Sequence, residues 1–142
     1  MDAIALDILL VEDNPGDVFL INRILETSTL HYRLHHVEDG QAATEFLRHQ
    51  GQYDQAPNPH LILLDLNLPL KDGRQILADI KSDPDLLHIP VIVLSTSSAP
   101  QDIEDSYQLQ ADFYLTKPLS LPELALKSQQ IQDFWTNWQG PP

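Results

Sequence analysis

The sequence predicts an α/β domain built on a parallel sheet, and three observations carry this. Ile8-Leu9-Leu10-Val11, Leu61-Ile62-Leu63-Leu64 and Val91-Ile92-Val93-Leu94 are short, wholly apolar runs, the pattern of strands buried on both faces. Each ends on polar residues: Glu12-Asp13, Asp65 and Ser95-Thr96. Segments with apolar residues at helical spacing lie between the runs, so β and α alternate along the chain.

The elements follow in order. The first strand occupies about 7–12. Asn14 suits an N-cap, Pro15 the first helical position, and Asp17 the positive end of the helix. Val18, Ile21 and Leu25 recur at helical spacing, with Phe19 and Ile24 beside them, and predict a helix over 15–27. Tyr32, Leu34 and His36 share one face of a weaker strand, which suits a sheet edge. Asp39-Gly40 breaks it, and Ala42, Ala43, Phe46 and Leu47 form a small stripe on a second helix. Residues 51–59, with Gly51, Pro57, Asn58 and Pro59, read as a loop. After the strand at 61–65, Asp72-Gly73 opens a third helix with Ile76, Leu77 and Ile80 inward. Asp83-Pro84 ends it, because a residue before proline is pushed out of the α region. Pro100 starts a fourth helix with Ile103 and Tyr107 one turn apart. Residues 112–116 form the fifth strand, which runs into Lys117-Pro118. Ser120-x-x-Glu123 fits a capping box. The last helix carries Leu124, Ile131, Trp135 and Trp138 and extends to about 139, before Gly140-Pro141-Pro142.

Five βα units with no repeat or linker predict one domain over 1–142, with its core at about 7–128. Right-handed crossovers leave few topologies. The flavodoxin-like order 2-1-3-4-5, a doubly wound (βα)5 sheet of five parallel strands, puts strands 1 and 3 side by side at the switch point. Glu12, Asp13 and Asp65 then meet, and Ser95 and Lys117 lie on the same edge.

The chain of 142 residues can bury a real core. No apolar run approaches the ~18 residues of a membrane span. The N-terminus lacks the basic and apolar regions of a secretory signal, and cysteine is absent, so disulfides and thiol chemistry are excluded. These features lead us to expect a cytoplasmic protein. A net charge of −13 argues against nucleic-acid binding, which needs basic residues, and against an anionic membrane surface.

Three carboxylates within a few ångström repel and raise one another's pKa. A hard cation neutralises them, and Mg²⁺, with its preference for one or two carboxylates plus phosphate, fits best. Lys117 offers a point charge for phosphate, or a salt bridge to Asp65 or Asp13. The run Ser95–Ser98 can cap the fourth helix or donate to a phosphoryl oxygen. A cis Lys117-Pro118 bond would set the lysine's direction. His31, His35, His36, His49, His60 and His88 show no metal-site spacing, and His35 and His36 point to opposite faces of a strand.

The set Glu12-Asp13, Asp65, Ser95 and Lys117-Pro118 resembles the receiver domain of two-component response regulators, over about 7–128. The wording of Gly51-Gln52-Tyr53, Pro59 through Pro69, Asp72-Gly73 and Asp83-Pro84 is similar to the single-domain regulators paired with cyanobacterial phytochrome histidine kinases. The resemblance implies a stand-alone, CheY-like phosphoacceptor. Asp65 takes a phosphoryl group from a phosphohistidine. Asp13 and Asp65 bind Mg²⁺ directly, Glu12 helps through water, and Asn67 lends its backbone carbonyl. Lys117 holds a phosphoryl oxygen. Ser95 moves toward the phosphoryl group and Tyr114 follows it from exposed to inward. Ser95 stands where threonine is commoner in the family, which keeps the hydroxyl. Thr96 takes a place often held by alanine and narrows access to the phosphoryl group. With no output domain in view, the expected readers are a partner protein or a second copy. The face is the fourth helix, fifth strand and fifth helix, with the aromatics Phe134, Trp135 and Trp138.

Two other readings compete. Asp65-Leu66-Asn67 resembles the nucleophile motif of haloacid-dehalogenase-like phosphatases, which are Mg²⁺-dependent phosphohydrolases. Asn67 stands where those enzymes need an acid to protonate the leaving group. A nucleotide- or flavin-binding module would need a glycine-rich phosphate loop after strand 1, where this chain has Glu12-Asp13.

Overall fold

The structure, a computed structural model, describes residues 5–68, 72–117 and 120–138. Strands β1 (Leu6–Val11), β2 (Tyr32–Val37), β3 (Leu61–Asp65), β4 (Val91–Ser95) and β5 (Phe113–Thr116) form one parallel sheet in the order β2-β1-β3-β4-β5. Helices α1 (Pro15–Thr27), α2 (Gly40–Leu47), α3 (Gly73–Ser82), α4 (Pro100–Gln108) and α5 (Glu123–Asn137) alternate with the strands. This is the expected flavodoxin-like (βα)5 order.

The apolar runs are continuous because both faces of the sheet are covered. Ile8, Leu10, Leu61, Leu63, Ile92 and Leu94 pack with Ile21, Ile24 and Leu25 of α1 and Leu124 and Ile131 of α5. Their sequence neighbours Leu9, Val11, Ile62, Leu64, Val91 and Val93 face the other way. There they meet Phe46 and Leu47 of α2 and Ile76, Leu77 and Ile80 of α3. Pairing Val11 with Leu64 brings the residues one step beyond, Glu12 and Asp65, to neighbouring strand tips.

Local chemistry sets the helix starts. Asn14 Oδ1 accepts from the Asp17 N–H at 3.1 Å, and Pro15 follows it as expected. Asp39 caps α2 and Asp72 caps α3 in the same way. The capping box at Ser120 does not form. Pro122 already has helical dihedrals, α5 begins at Glu123, and the Glu123 N–H donates to the Ser120 carbonyl. Ser120 therefore lies too far upstream to act as the N-cap.

The helix ends at Asn137, with Phe134 stacked on Phe113 (centroids 5.5 Å) and tilted against Trp138 (5.6 Å). Trp135 and Trp138 are half-buried, and they line a groove with Pro59, His60 and Pro90. At the edge of the sheet opposite the Asp65 tip, the buried Lys81 ammonium donates to Asp112 and to the Leu87 and Ile89 carbonyls. That contact ties α3 to the flanks of β4 and β5. His35 and His36 do point to opposite faces, one to the Asp7 carboxylate and the other to the Glu12 carbonyl.

Candidate functional site

Glu12 follows the last residue of β1 and is fully buried. Its N–H donates to Val37 O, and its carbonyl accepts from His36. Asp65 ends β3 and is also buried; its Oδ1 accepts from the Asn67 N–H at 3.0 Å, which closes a turn over the strand tip. Asp13 is exposed at the start of the β1–α1 connection. One carboxylate oxygen from each of Glu12, Asp13 and Asp65 lies within 4.8 Å of the others. The three open onto a cleft of about 230 Å³ that Asn14, Asp17, Asn67, Thr96 and Lys117 complete.

Lys117 supplies the cleft's cation. Its Nζ lies 2.8 Å from Glu12 Oε2, 2.8 Å from Asp17 Oδ2 and 3.4 Å from Asp65 Oδ2. Burial alone would lower its pKa. The hydrogen bond to Asp17, the ion pair with Glu12 and the Asp65 charge outweigh burial and raise it, so Lys117 is a fixed ammonium. The lysine thus reaches Asp65 more loosely than two other acids. Glu12 is pushed up to about 7, mainly by burial, with the Asp65 charge adding; Lys117 and the Asn14 N–H oppose the rise. The cluster is short of positive charge even with Lys117 in place. Converging hard oxygens with one exposed member are a donor set that fits Mg²⁺.

The serine run divides its duties. Ser95 is buried at the β4 tip, and its hydroxyl accepts from the Ser97 N–H at 3.1 Å. Thr96 is exposed at the cleft mouth. Ser97 secures the start of α4, donating to Asp102 and accepting from the Ala99 N–H. Tyr114 is turned inward, and its hydroxyl donates to the Ser97 carbonyl at 2.7 Å. Its backbone N–H meets the hydroxyl of Tyr107 on α4. Pro118, and with it the Lys117-Pro118 bond, lies outside the described residues.

Glu12, Asp13, Asp65, Asn67 and Lys117 line this cleft, Ser95 lies at the neighbouring β4 tip, and Tyr114 lies two residues before the end of β5. Sequence reasoning assigned Asp17 to the helix dipole alone. Its place one turn beyond Asp13, on a helix leaving the cleft, was the available signal for more. Gly73 was likewise read only as a helix opener. A Cβ at Gly73 would lie 2.3 Å from the Asp65 carbonyl oxygen and 2.6 Å from Leu66 Cα. The glycine lets the start of α3 close on the backbone that carries Asp65.

Known proteins match this architecture. Residues 8–129 match the response regulator receiver domain family. The chain is 51% identical over 128 residues to the response regulator Rcp1 of Synechocystis sp., covering 90% of this chain and 87% of Rcp1. The crystal structure of the Mn²⁺-bound form of Rcp1 superposes with a TM-score of 0.84 at 48% identity, covering 96% and 99% of the two chains. The phosphorylated cyanobacterial phytochrome response regulator RcpA superposes with a TM-score of 0.86 at 46% identity, covering 98% and 100%. These relationships and the acidic cleft set the chain apart from a turnover phosphohydrolase. It belongs to the response regulator receiver-domain family, CheY-like in fold and related to phytochrome-associated regulators, with a carboxylate cluster suited to Mg²⁺-dependent phosphotransfer and conformational signalling.

Proposed function

We propose that the chain is a cytoplasmic response regulator in which Asp65 accepts a phosphoryl group from a phytochrome-type histidine kinase. The observation that carries this is the meeting of Asp65 with Glu12, Asp13 and Lys117 in one open cleft. An Asp65 carboxylate oxygen attacks the phosphorus in line. The new O–P bond forms as the N–P bond of the phosphohistidine breaks, and its electron pair stays on the imidazole. Asp13 and Asp65 would hold Mg²⁺ directly, Glu12 through water and Asn67 through its carbonyl. Bound there, Mg²⁺ would neutralise the carboxylates and the charge on the phosphoryl oxygens. Lys117 donates to a phosphoryl oxygen.

Signalling runs through Ser95 and Tyr114. Ser95 exchanges the Ser97 N–H for a phosphoryl oxygen, and the Ser97 carbonyl already holds the Tyr114 hydroxyl. Tyr114 is turned inward, the orientation that this switch assigns to the signalling state. To reverse a 1:99 population, phosphorylation must supply about 5.5 kcal/mol. The kinase assignment draws on the relationship to Rcp1 and RcpA. A homodimer through α4, β5, α5 and the C-terminal aromatics is the proposed assembly. It is supported by the exposed Tyr107 and Leu126 and by the aromatic stack on Phe113.

Incubation with a small-molecule phosphoryl donor and Mg²⁺ tests the central role. Wild type should gain a single hydroxylamine-labile phosphoryl group, and Asp65→Asn should gain none. A wild type that does not label overturns the reading.

A further inference from the structure

Lys117 has three described carboxylate partners, and one of them stands outside the cation-suited cluster. Glu12 and Asp65 belong to that cluster with Asp13. Asp17 does not, yet it lies as close to the ammonium as Glu12 does, at 2.8 Å. Its contact reaches a hundred residues along the chain. The Asp17 backbone is pinned, since its N–H donates to Asn14 Oδ1 in the first turn of α1. A carboxylate there is also favoured by the positive end of the helix.

An ammonium has three protons to donate. Asp17 takes one of them in a hydrogen bond at 2.8 Å. Glu12 Oε2 lies at the same distance as an ion pair but accepts no hydrogen bond among the described residues, and Asp65 Oδ2 lies 3.4 Å away, an ion-pair separation rather than a short hydrogen bond. Asp17 therefore anchors the ammonium and leaves it protons to give to an oxygen on Asp65. A divalent cation in the cluster would draw on Glu12 and Asp65 and leave Asp17 as the partner that keeps the ammonium in register.

We propose that Asp17 is a positioning residue, which orients the Lys117 ammonium toward a phosphoryl oxygen on Asp65. This rests on the phosphoacceptor reading of Asp65 above. Asp17 touches neither donor nor phosphorus, so its effect reaches the reaction only through Lys117.

The test is a double-mutant cycle read by calorimetric affinity for the phosphoryl mimic beryllofluoride with Mg²⁺, and by the rate of labelling at saturating donor. Asp17→Ala should weaken mimic binding and slow labelling about ten-fold, the scale of one charge-assisted hydrogen bond. Asp17→Asn, which keeps an acceptor without the charge, should fall between. In a Lys117→Ala background, Asp17→Ala should have no further effect. Thermal melts and Mg²⁺ affinity without the mimic establish that each variant is folded with its cleft intact. If Asp17→Ala misfolds, the Asp17→Asn step of the same cycle decides. Equal labelling and mimic binding by wild type and both Asp17 variants overturn the proposal, as do losses that add to those of Lys117→Ala. If wild type itself neither labels nor binds the mimic, the reading of Asp65 falls first, and the two failures are distinct.

Discussion

Glu12 is buried between the Lys117 ammonium and the Asn14 N–H, and burial pushes its carboxyl from 4.5 up to about 7. Between these values the folded protein holds a proton that the unfolded chain has released. The stabilisation this proton lends to the folded state is present at low pH and is lost as pH rises through about 7. Binding of a divalent cation runs the opposite way, because the cation favours the ionised carboxylate. Mg²⁺ should therefore bind more weakly at pH 6 than at pH 8 and release a proton as it binds near neutrality. Titration calorimetry in buffers of different ionisation enthalpy measures that proton. Glu12→Gln should flatten the pH dependence, and an unchanged slope in that variant would assign the proton to another group.

At the scale of elements, the start of α3 meets the end of β3 through close backbone contact. The Gly73 N–H donates to the Leu66 carbonyl, and the Asp65 carbonyl lies where a Cβ would be. Both short approaches are to backbone atoms, which cannot swing aside. Gly73→Ala should cost about 1–3 kcal/mol of stability, as overpacking does, and should slow phosphorylation by displacing the tip of β3. Denaturant melts and the labelling assay check the two effects together. Normal stability with normal labelling would mean that α3 can shift without moving Asp65. On the far side of the cleft, Tyr107 and Tyr114 join α4 to β5, so movement of the Ser95–Ser97 turn reaches an exposed surface within two contacts.

For the whole molecule, the distribution of charge matters more than its total. Lys117 and Lys127 are buried and the Lys81 side chain is largely covered, and these three, the described lysines, are all engaged with side-chain partners. The solvent-facing cations among the described residues are mainly arginines, and the helix carrying Tyr107 presents Asp102, Glu104 and Asp105. Two copies meeting through α4, β5 and α5 would bring acid against acid around an apolar centre of Tyr107 and Leu126. Dimerisation should therefore tighten as salt rises through the range where screening takes hold, and tighten again with a phosphoryl mimic. Sedimentation at several salt concentrations measures this. A monodisperse monomer at high micromolar concentration, with and without the mimic, would count against the dimer.

The buried strands and their acidic tips were legible in the chain itself. A strand covered on both faces must be apolar at every position, and its first polar residue marks the edge where chemistry can occur. The Asn14-Pro15 start of α1 was legible because caps are local. The crossover rule extended this to the strand order, and so to the meeting of Glu12, Asp13 and Asp65. Tertiary structure alone decided the rest. It showed that Lys117 leans on Asp17 as closely as on Glu12, that Gly73 is required by the Asp65 backbone, that Tyr114 is turned inward, and that Ser120 does not cap α5. Each depends on a distance between segments or on the exact first turn of a helix. A residue's period along the chain tells which face it occupies and carries no measure of what waits on that face.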